Sequence, residues 1–334
     1  MRLKEIGEDR LIKGIHRRFA RTHSRLIKGI GDDTCVAAHT PGKTLLATTD
    51  VLTEGVHFKR DYTPAYLLGK KALAISLSDI AAMGGDPTFF LVSLGLTPET
   101  TDLFLNDIYR GLNAEAKKYG AAIAGGNISR SKTLFISLTL FGEMPPGEVL
   151  YREGAAAGDD IYVTGTLGDA ALGLKTLKDY GAGAVKKGPF KGAVKKHLDP
   201  TPRLEAGRAL AKKGLASAMI DISDGLMLDL ARLAGASNVG ALVEPERLPM
   251  SRNLKRYGGR SRAKALELGL SGGEDYELLF TAPPSNTAAI ERVSKRLKLR
   301  ITRIGRVLRL GEGVSVIDKK GRPVKTTRAG FAHF

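Results

Sequence analysis

Aspartates on glycine turns or at the ends of apolar runs recur along the chain: GDDT (31–34), TTD (48–50), LSD (77–79), ISDG (222–225) and GGED (272–275), with the related GGN at 125–127. Most have a threonine, a serine or a second acidic residue beside the carboxylate. Such oxygen donors suit magnesium, a hard cation that bridges a few carboxylates and the oxygens of a transferring phosphate. They suit transition metals poorly, and the 6 histidines, His57 among them, form no H-x-x-H pair for zinc or iron. The single cysteine, Cys35, excludes an intrachain disulfide, a zinc cluster and a C-x-x-C redox pair, and reads as a small core residue.

The common nucleotide and nucleophile signatures are absent. GKT at 42–44 lacks the first glycine of a P-loop, because Ala37 stands in its place. No G-x-G-x-x-G follows a strand, and neither the protein-kinase motifs nor a G-x-S-x-G elbow is present. GTLGDAALGL (165–174) follows the apolar run DIYVTG and opens a helix, where backbone N–H groups could meet an anion.

The elements that must position these residues alternate short β-branched or aliphatic runs with longer helical ones, the mark of a mixed α and β protein. Strands are expected at 44–50, 89–96, 121–126, 133–143, 160–165, 217–223, 241–245 and 276–282, and the clearest helices at 64–84, 99–120, 201–214 and 225–237. Prolines and glycines interrupt both periods in MPPGEVLYREGAAAGD (144–159), which sets a domain boundary there and gives domains 1–146 and 147–334. In TLLATTD and SAMIDISDG an apolar strand runs into Asp50 and into Asp221, at the sheet rim where ligands of open α/β sheets bind. Asp224 is placed to cap the helix that begins near Gly225. Leu68, Ala72, Ile75 and Asp79 share one side of a helix that is apolar on nearly all sides, so Asp79 needs a cation, a hydrogen-bond cage or a raised pKa.

With 334 residues and 43% hydrophobic content the chain can bury a large core in two domains. It has no apolar stretch long enough to span a bilayer and its start lacks a signal peptide's apolar segment, so a soluble, cytoplasmic protein without membrane partners is expected. The formal net charge of +17 is spread out, with mild clusters at 17–28, 186–196 and 252–264. Aromatics in these clusters are sparse, which argues against a base-stacking nucleic-acid surface and for a solvated, highly charged exterior. A basic nucleic-acid-binding protein without catalysis would also leave the ordered aspartate motifs unexplained.

GIGDDT, TTDVLTEGVHF, KALAISLSDIAAMGGDP, AGGNIS, YREGAAAGD, YVTGTLGDAALGL, IDISDGLMLDL, SGGEDYELLF and GFAHF follow one another along nearly the whole chain. In order and spacing they resemble the thiamine-monophosphate kinase family. Its superfamily holds aminoimidazole ribonucleotide synthetase, selenophosphate synthetase and a hydrogenase maturation factor, and another member of it is the rival reading. The chain lacks the reactive N-terminal and C-terminal cysteines of the last two. The resemblance implies a two-domain, aminoimidazole-ribonucleotide-synthetase-like fold, with an α/β N-terminal half pairing in a homodimer, an α+β C-terminal half, and the active site in the cleft between them. It implies magnesium-dependent, in-line transfer of the γ-phosphate of ATP to thiamine monophosphate, with several magnesium ions and no covalent nucleophile. Asp33, Thr48, Thr49, Asp50, Asp79, Asp221 and Asp224 match the family's magnesium positions. Asn127 stands where many relatives carry aspartate and offers magnesium a neutral carbonyl. Gly126, Asn127, Arg152 and Ser223 match ATP-binding positions, with Tyr109 beside the nucleotide. His57 and Glu274 match contacts to the thiamine substrate, and Phe331 falls near the aromatic that borders it. Asp32 is read as support for the turn.

Overall fold

The computed structural model describes residues 8–19, 24–28, 36–38, 40–259, 262–324 and 330–331. Asp33, expected as a magnesium ligand, lies outside the described residues, as do Asp32 and Cys35. The chain divides into two compact units, Met1–Ile80 with Asp86–Pro146 and Ala81–Gly85 with Gly147–Phe334.

The first unit runs α1 (Glu8–Phe19), β1 (Leu26–Lys28), β2 (Val36–Ala37), β3 (Thr44–Thr53), α2 (Ala65–Ala82), β4 (Asp86–Leu96), α3 (Asp102–Tyr119), β5 (Ala122–Arg130) and β6 (Phe135–Met144). Its four-stranded sheet has the order β3-β6-β4-β5. The β4–β5 pair is parallel and the other two pairs are antiparallel. The expected apolar helix is α2, with Leu68, Leu73, Leu77 and Ile80 essentially fully buried. It crosses α3 at two glycines: a Cβ on Gly69 would lie 2.0 Å from the Ile108 carbonyl, and one on Gly111 2.0 Å from that of Tyr66. Only glycine lets the two backbones approach this closely. α3 is closed at both ends, by the Thr101 hydroxyl accepting from the Phe104 N–H (3.2 Å) and by left-handed Gly120.

The second unit runs β7 (Asp160–Thr164), α4 (Asp169–Tyr180), α5 (Gly183–Lys186), α6 (Lys191–Leu198), α7 (Leu204–Lys212), β8 (Ala218–Asp221), α8 (Leu226–Ala236), β9 (Gly240–Val243), α9 (Arg252–Gly258), α10 (Arg262–Ser271), β10 (Leu278–Ala282), α11 (Thr287–Leu297), β11 (Ile301–Leu308) and β12 (Val314–Val316). Its six-stranded sheet has the order β12-β9-β11-β7-β10-β8. β7 and β10 are buried along their whole length, as befits central strands of β-branched and leucine residues. Because β7 and β8 are both antiparallel to β10, their C-terminal ends reach the same rim of the sheet. The start of β11 and the end of β9 reach that rim too.

Several expectations need correction. β5 does not stop at Gly126 but continues through Asn127 to Arg130, still paired with β4. β3 does not stop at Asp50, because Val51, Leu52 and Thr53 keep the alternation and continue pairing with Ser137, Ile136 and Phe135. β8 does end at Asp221. Asp224 does not cap α8: the residue before that helix is Gly225, which has no side-chain cap, and the Asp224 carboxylate takes the Arg232 guanidinium instead (2.7 Å).

Candidate functional site

In the first unit the two-residue period of β3 puts Thr48 and Asp50 on one face of the sheet and Thr49 on the other. The first face meets one turn of α2, in which Ser76 and Asp79 are three residues apart. The Thr48 hydroxyl donates to Asp79, and the Ser76 hydroxyl donates to Asp50 at 2.7 Å. On the other face, the Thr49 hydroxyl donates to the Leu138 carbonyl at 2.9 Å. The turn after β3 is tied by His57, whose Nδ1 accepts from the Thr53 N–H at 3.1 Å. Burial pushes the Asp50 carboxyl above its ordinary pKa, against the opposing pull of the Ser76 hydroxyl and the His57 charge.

Gly126 and Asn127 lie on β5, the opposite edge of the same sheet, and both are exposed. Asp50, Leu138, Val92 and Gly126 form one row across the four strands. Three strand spacings, about 14 Å along the sheet, therefore separate Asp50 from Gly126. A Cβ on Gly126 would fall 1.9 Å from the Val92 carbonyl, so close strand approach excludes a side chain there. Tyr109 is only 4% exposed, and its ring stacks on Phe19 with centroids 5.6 Å apart. Burial raises the pKa of its hydroxyl.

In the second unit the ISDG turn follows β8. Its shape is set by Asp229, one turn into α8, which sequence reasoning missed. One carboxylate oxygen of Asp229 accepts from the N–H groups of Ser223 (3.1 Å), Asp224 (3.0 Å) and Gly225 (3.1 Å). Its other oxygen takes Arg232, which also holds Asp224, both at 2.7 Å. Ser223 and Asp224 are thus held by a buried clamp. The GGED segment docks on the same turn: the Glu274 N–H donates to the Ser223 carbonyl at 2.7 Å and the Tyr276 N–H to the Ile222 carbonyl at 2.9 Å. Glu274 and Tyr276 both have left-handed backbones, with φ of 67° and 48°. Such conformations cost about 1–3 kcal/mol each and persist where surrounding contacts enforce them. The Glu274 carboxylate lies 3.0 Å from Nδ1 of His197, a side chain 2% exposed. The exposed Phe331 is joined to the turn by its N–H, which donates to the Asp224 carbonyl at 2.9 Å. Arg152 is exposed, on a segment that runs beside β8 through the Tyr151 carbonyl and the Met219 N–H (2.8 Å).

Behind this turn lie two more carboxylates: Glu277, which the sequence reading passed over, and Asp275, the aspartate of GGED, which faces backbone N–H groups rather than a donor set for a metal. Glu277, fully buried, accepts from Arg203 Nε (2.6 Å) and Nη2 (2.5 Å), Lys196 Nζ (3.0 Å) and the Thr164 hydroxyl (2.7 Å). Burial alone would raise its pKa, but the Arg203 and Lys196 charges outweigh it and hold the carboxyl below its usual range. Asp275 accepts from the N–H groups of Gly168 (2.5 Å) and Ala170 (3.1 Å) where α4 begins, and burial pushes it up to about 7. The available signal was the run GGEDYELLF, in which a strand fated for full burial is preceded by three acidic residues.

The structure thus brings Thr48, Asp50 and Asp79 together with His57 nearby, and separately gathers Asp221, Ser223, Asp224, Glu274 and Phe331. Asp50 and Asp79 accept from the Ser76 and Thr48 hydroxyls, and oxygen donors of this kind fit magnesium. Among the described residues no three His, Cys, Asp or Glu side chains form a metal-binding group. The expected set also draws on threonine, asparagine and Asp33.

Two family descriptions match the chain: AIR synthase related protein, N-terminal domain, over residues 31–144, and AIR synthase related protein, C-terminal domain, over 156–318. A thiamine-monophosphate kinase of Aquifex aeolicus is 40% identical over 339 residues, with 100% of each chain covered. Among solved structures, thiamine-monophosphate kinase from Stenotrophomonas maltophilia superposes with a TM-score of 0.82 at 36% identity, over 95% of this chain and 96% of that one. A structure described as AaThiL complexed with AMPPCP and TMP superposes with a TM-score of 0.77 at 38% identity, over 100% and 99%.

Proposed function

The chain belongs to the thiamine-monophosphate kinase family of AIR synthase related proteins, and from that premise we propose that it transfers the γ-phosphate of ATP to thiamine monophosphate, giving ADP and thiamine diphosphate. The observation that carries this reading is the full-length likeness to a relative solved with an ATP analogue and TMP together.

The acceptor is already an anionic phosphate, so the chain needs no Ser, Cys or His nucleophile. It has to bring two anions into line and offset their charge. Thr48, Thr49, Asp50, Asp79, Asn127, Asp221 and Asp224, with Asp33, are the residues we assign to magnesium. Magnesium, when bound, neutralises phosphate charge and polarises the group being transferred. Asp50 is the best supported of them, because its half-buried carboxylate meets a hydroxyl and no ion pair among the described residues.

Gly126, Asn127, Arg152 and Ser223 are assigned to ATP, with Arg152 offering an exposed guanidinium to phosphate. Tyr109 is buried, so its part near the nucleotide is to support α3 rather than to present a ring. His57, Glu274 and Phe331 are assigned to the thiamine substrate.

A cytoplasmic homodimer built on the first domain, 1–146, with 147–334 as the second, completes the reading. The dimer is supported by β3, a ten-residue edge strand with exposed Leu45 and Val51. Long apolar edges of this kind call for a cover.

Incubation with ATP, magnesium and thiamine monophosphate, followed by chromatography of the thiamine esters, tests the assignment. Thiamine diphosphate is the expected product. Turnover of another acceptor, with none of it formed, rejects the reading. A phosphorylated protein isolated during turnover would reject direct transfer.

A further inference from the structure

The basic segment at 252–264 has no part in the site described above. Several of its residues wall a cavity of about 750 Å³ in the second unit, together with residues before α9 and at the start of β11. That volume lies within the roughly 300–1,000 Å³ of small-molecule sites. Arg247, Lys255, Arg262, Arg300 and Arg303 line it, against the single carboxylate of Glu246.

Two of these cations are already matched, Arg303 by Asp160 (2.5 Å) and Glu244 (3.3 Å), and Arg247 by Glu244. The other three have no carboxylate partner among the described residues. Arg262 donates to the Pro245 carbonyl at 3.2 Å and Arg300 to the Thr302 hydroxyl at 3.1 Å, while Lys255 is exposed. Below them the cavity meets Leu248, Met250 and Ala265, which are 5%, 7% and 2% exposed.

The cavity opens at the rim where β9 ends and β11 begins. Asp221 stands on the same rim, but strand order puts β8 three strands from β11, about 14 Å away. No residue lining the cavity belongs to the phosphoryl-transfer site.

We propose that this cavity is a second ligand site, which takes a small organic anion bearing a diphosphate group. Three unmatched cations around one concave space focus a positive field, and guanidinium forks pair with phosphate oxygens. The apolar side chains below them accept the carbon part. Among the described residues no aromatic lines the cavity, so they offer no platform for stacking the bases of an RNA strand. A nucleoside diphosphate and thiamine diphosphate share the required chemistry.

Calorimetry on the full chain, with magnesium, AMPPCP and thiamine monophosphate saturating the first site, distinguishes these sources in separate titrations of ADP, thiamine diphosphate and a short RNA. One equivalent of ADP or of thiamine diphosphate is expected to bind, and the ligand that binds identifies the source. Lys255→Glu and Arg300→Glu, both at exposed positions, should each weaken that binding by about tenfold or more while kcat stays within about twofold. The proposal is overturned if neither diphosphate binds, if binding is indifferent to both charge reversals, or if only the RNA binds and loses affinity in the variants.

Discussion

In the first unit, Asp50 meets the hydroxyl of Ser76 and burial leaves its pKa raised; in the second, Glu277 meets Arg203, Lys196 and Thr164, and its pKa is lowered although it is the more deeply buried of the two. Desolvation acts on both carboxylates in the same direction, so the difference lies in the partners. Glu277 has its countercharges, Arg203 and Lys196, built into the fold. Asp50 has a neutral hydroxyl donor, and the nearby His57 charge does not offset its burial. A carboxylate of the first kind fixes architecture, and one of the second kind is ready for a cation that arrives with substrate.

The largest expected effect falls on Asp50. Asp50→Asn should lower kcat about a thousandfold, the order of loss when one group stabilising transition-state charge is removed. Its melting temperature should not fall, because the amide oxygen can still accept from Ser76 and a desolvated charge is gone. Near-normal turnover at saturating magnesium would break the contrast.

Glu277→Gln should do the reverse. Leaving the half-buried Arg203 and Lys196 without their counterion costs up to about 3 kcal/mol, the low end for a broken buried pair, read from the denaturant midpoint. The magnesium dependence of the remaining folded enzyme should be unchanged.

Asp275 sharpens the comparison through pH. Its folded pKa of about 7 lies above the ordinary 3.8, so between these values the native state binds the proton more tightly than the unfolded chain. The stability this contributes is complete below the ordinary value and is lost as pH rises to about 7. Asp275→Asn should therefore flatten the fall in stability across that window, measured by denaturation at a series of pH values.

The smallest effect is expected at the exposed edge. Asn127→Asp adds one negative charge to the oxygen donors and should lower the half-saturating magnesium concentration by up to about tenfold. An unchanged magnesium titration would remove Asn127 from the metal-binding set.

What the sequence made legible was local. α2 declared itself by being apolar on nearly all sides, and the β3 and β8 aspartates by ending apolar runs, although β3 goes on past Asp50. What it hid was long-range. Glu277 finds Arg203 and Thr164 across 74 and 113 residues, a distance over which no periodicity operates. β11 escaped notice because Arg303 and Arg306 interrupt its apolar pattern, and the structure explains Arg303 by its ion pair with Asp160 from the neighbouring strand. Asp229 lies within six residues of the N–H groups it accepts from, but a carboxylate one turn into a helix is usually a surface residue, so its spacing carried no warning.

Phosphoryl transfer to thiamine monophosphate by the wild-type chain and by Asp50→Asn, followed side by side by phosphorus NMR with ATP and magnesium, tests the central claim most directly. The account predicts thiamine diphosphate and ADP appearing in equal amounts with the wild type and almost none with the variant. ATP consumption without thiamine diphosphate, or equal rates from the two proteins, would contradict it.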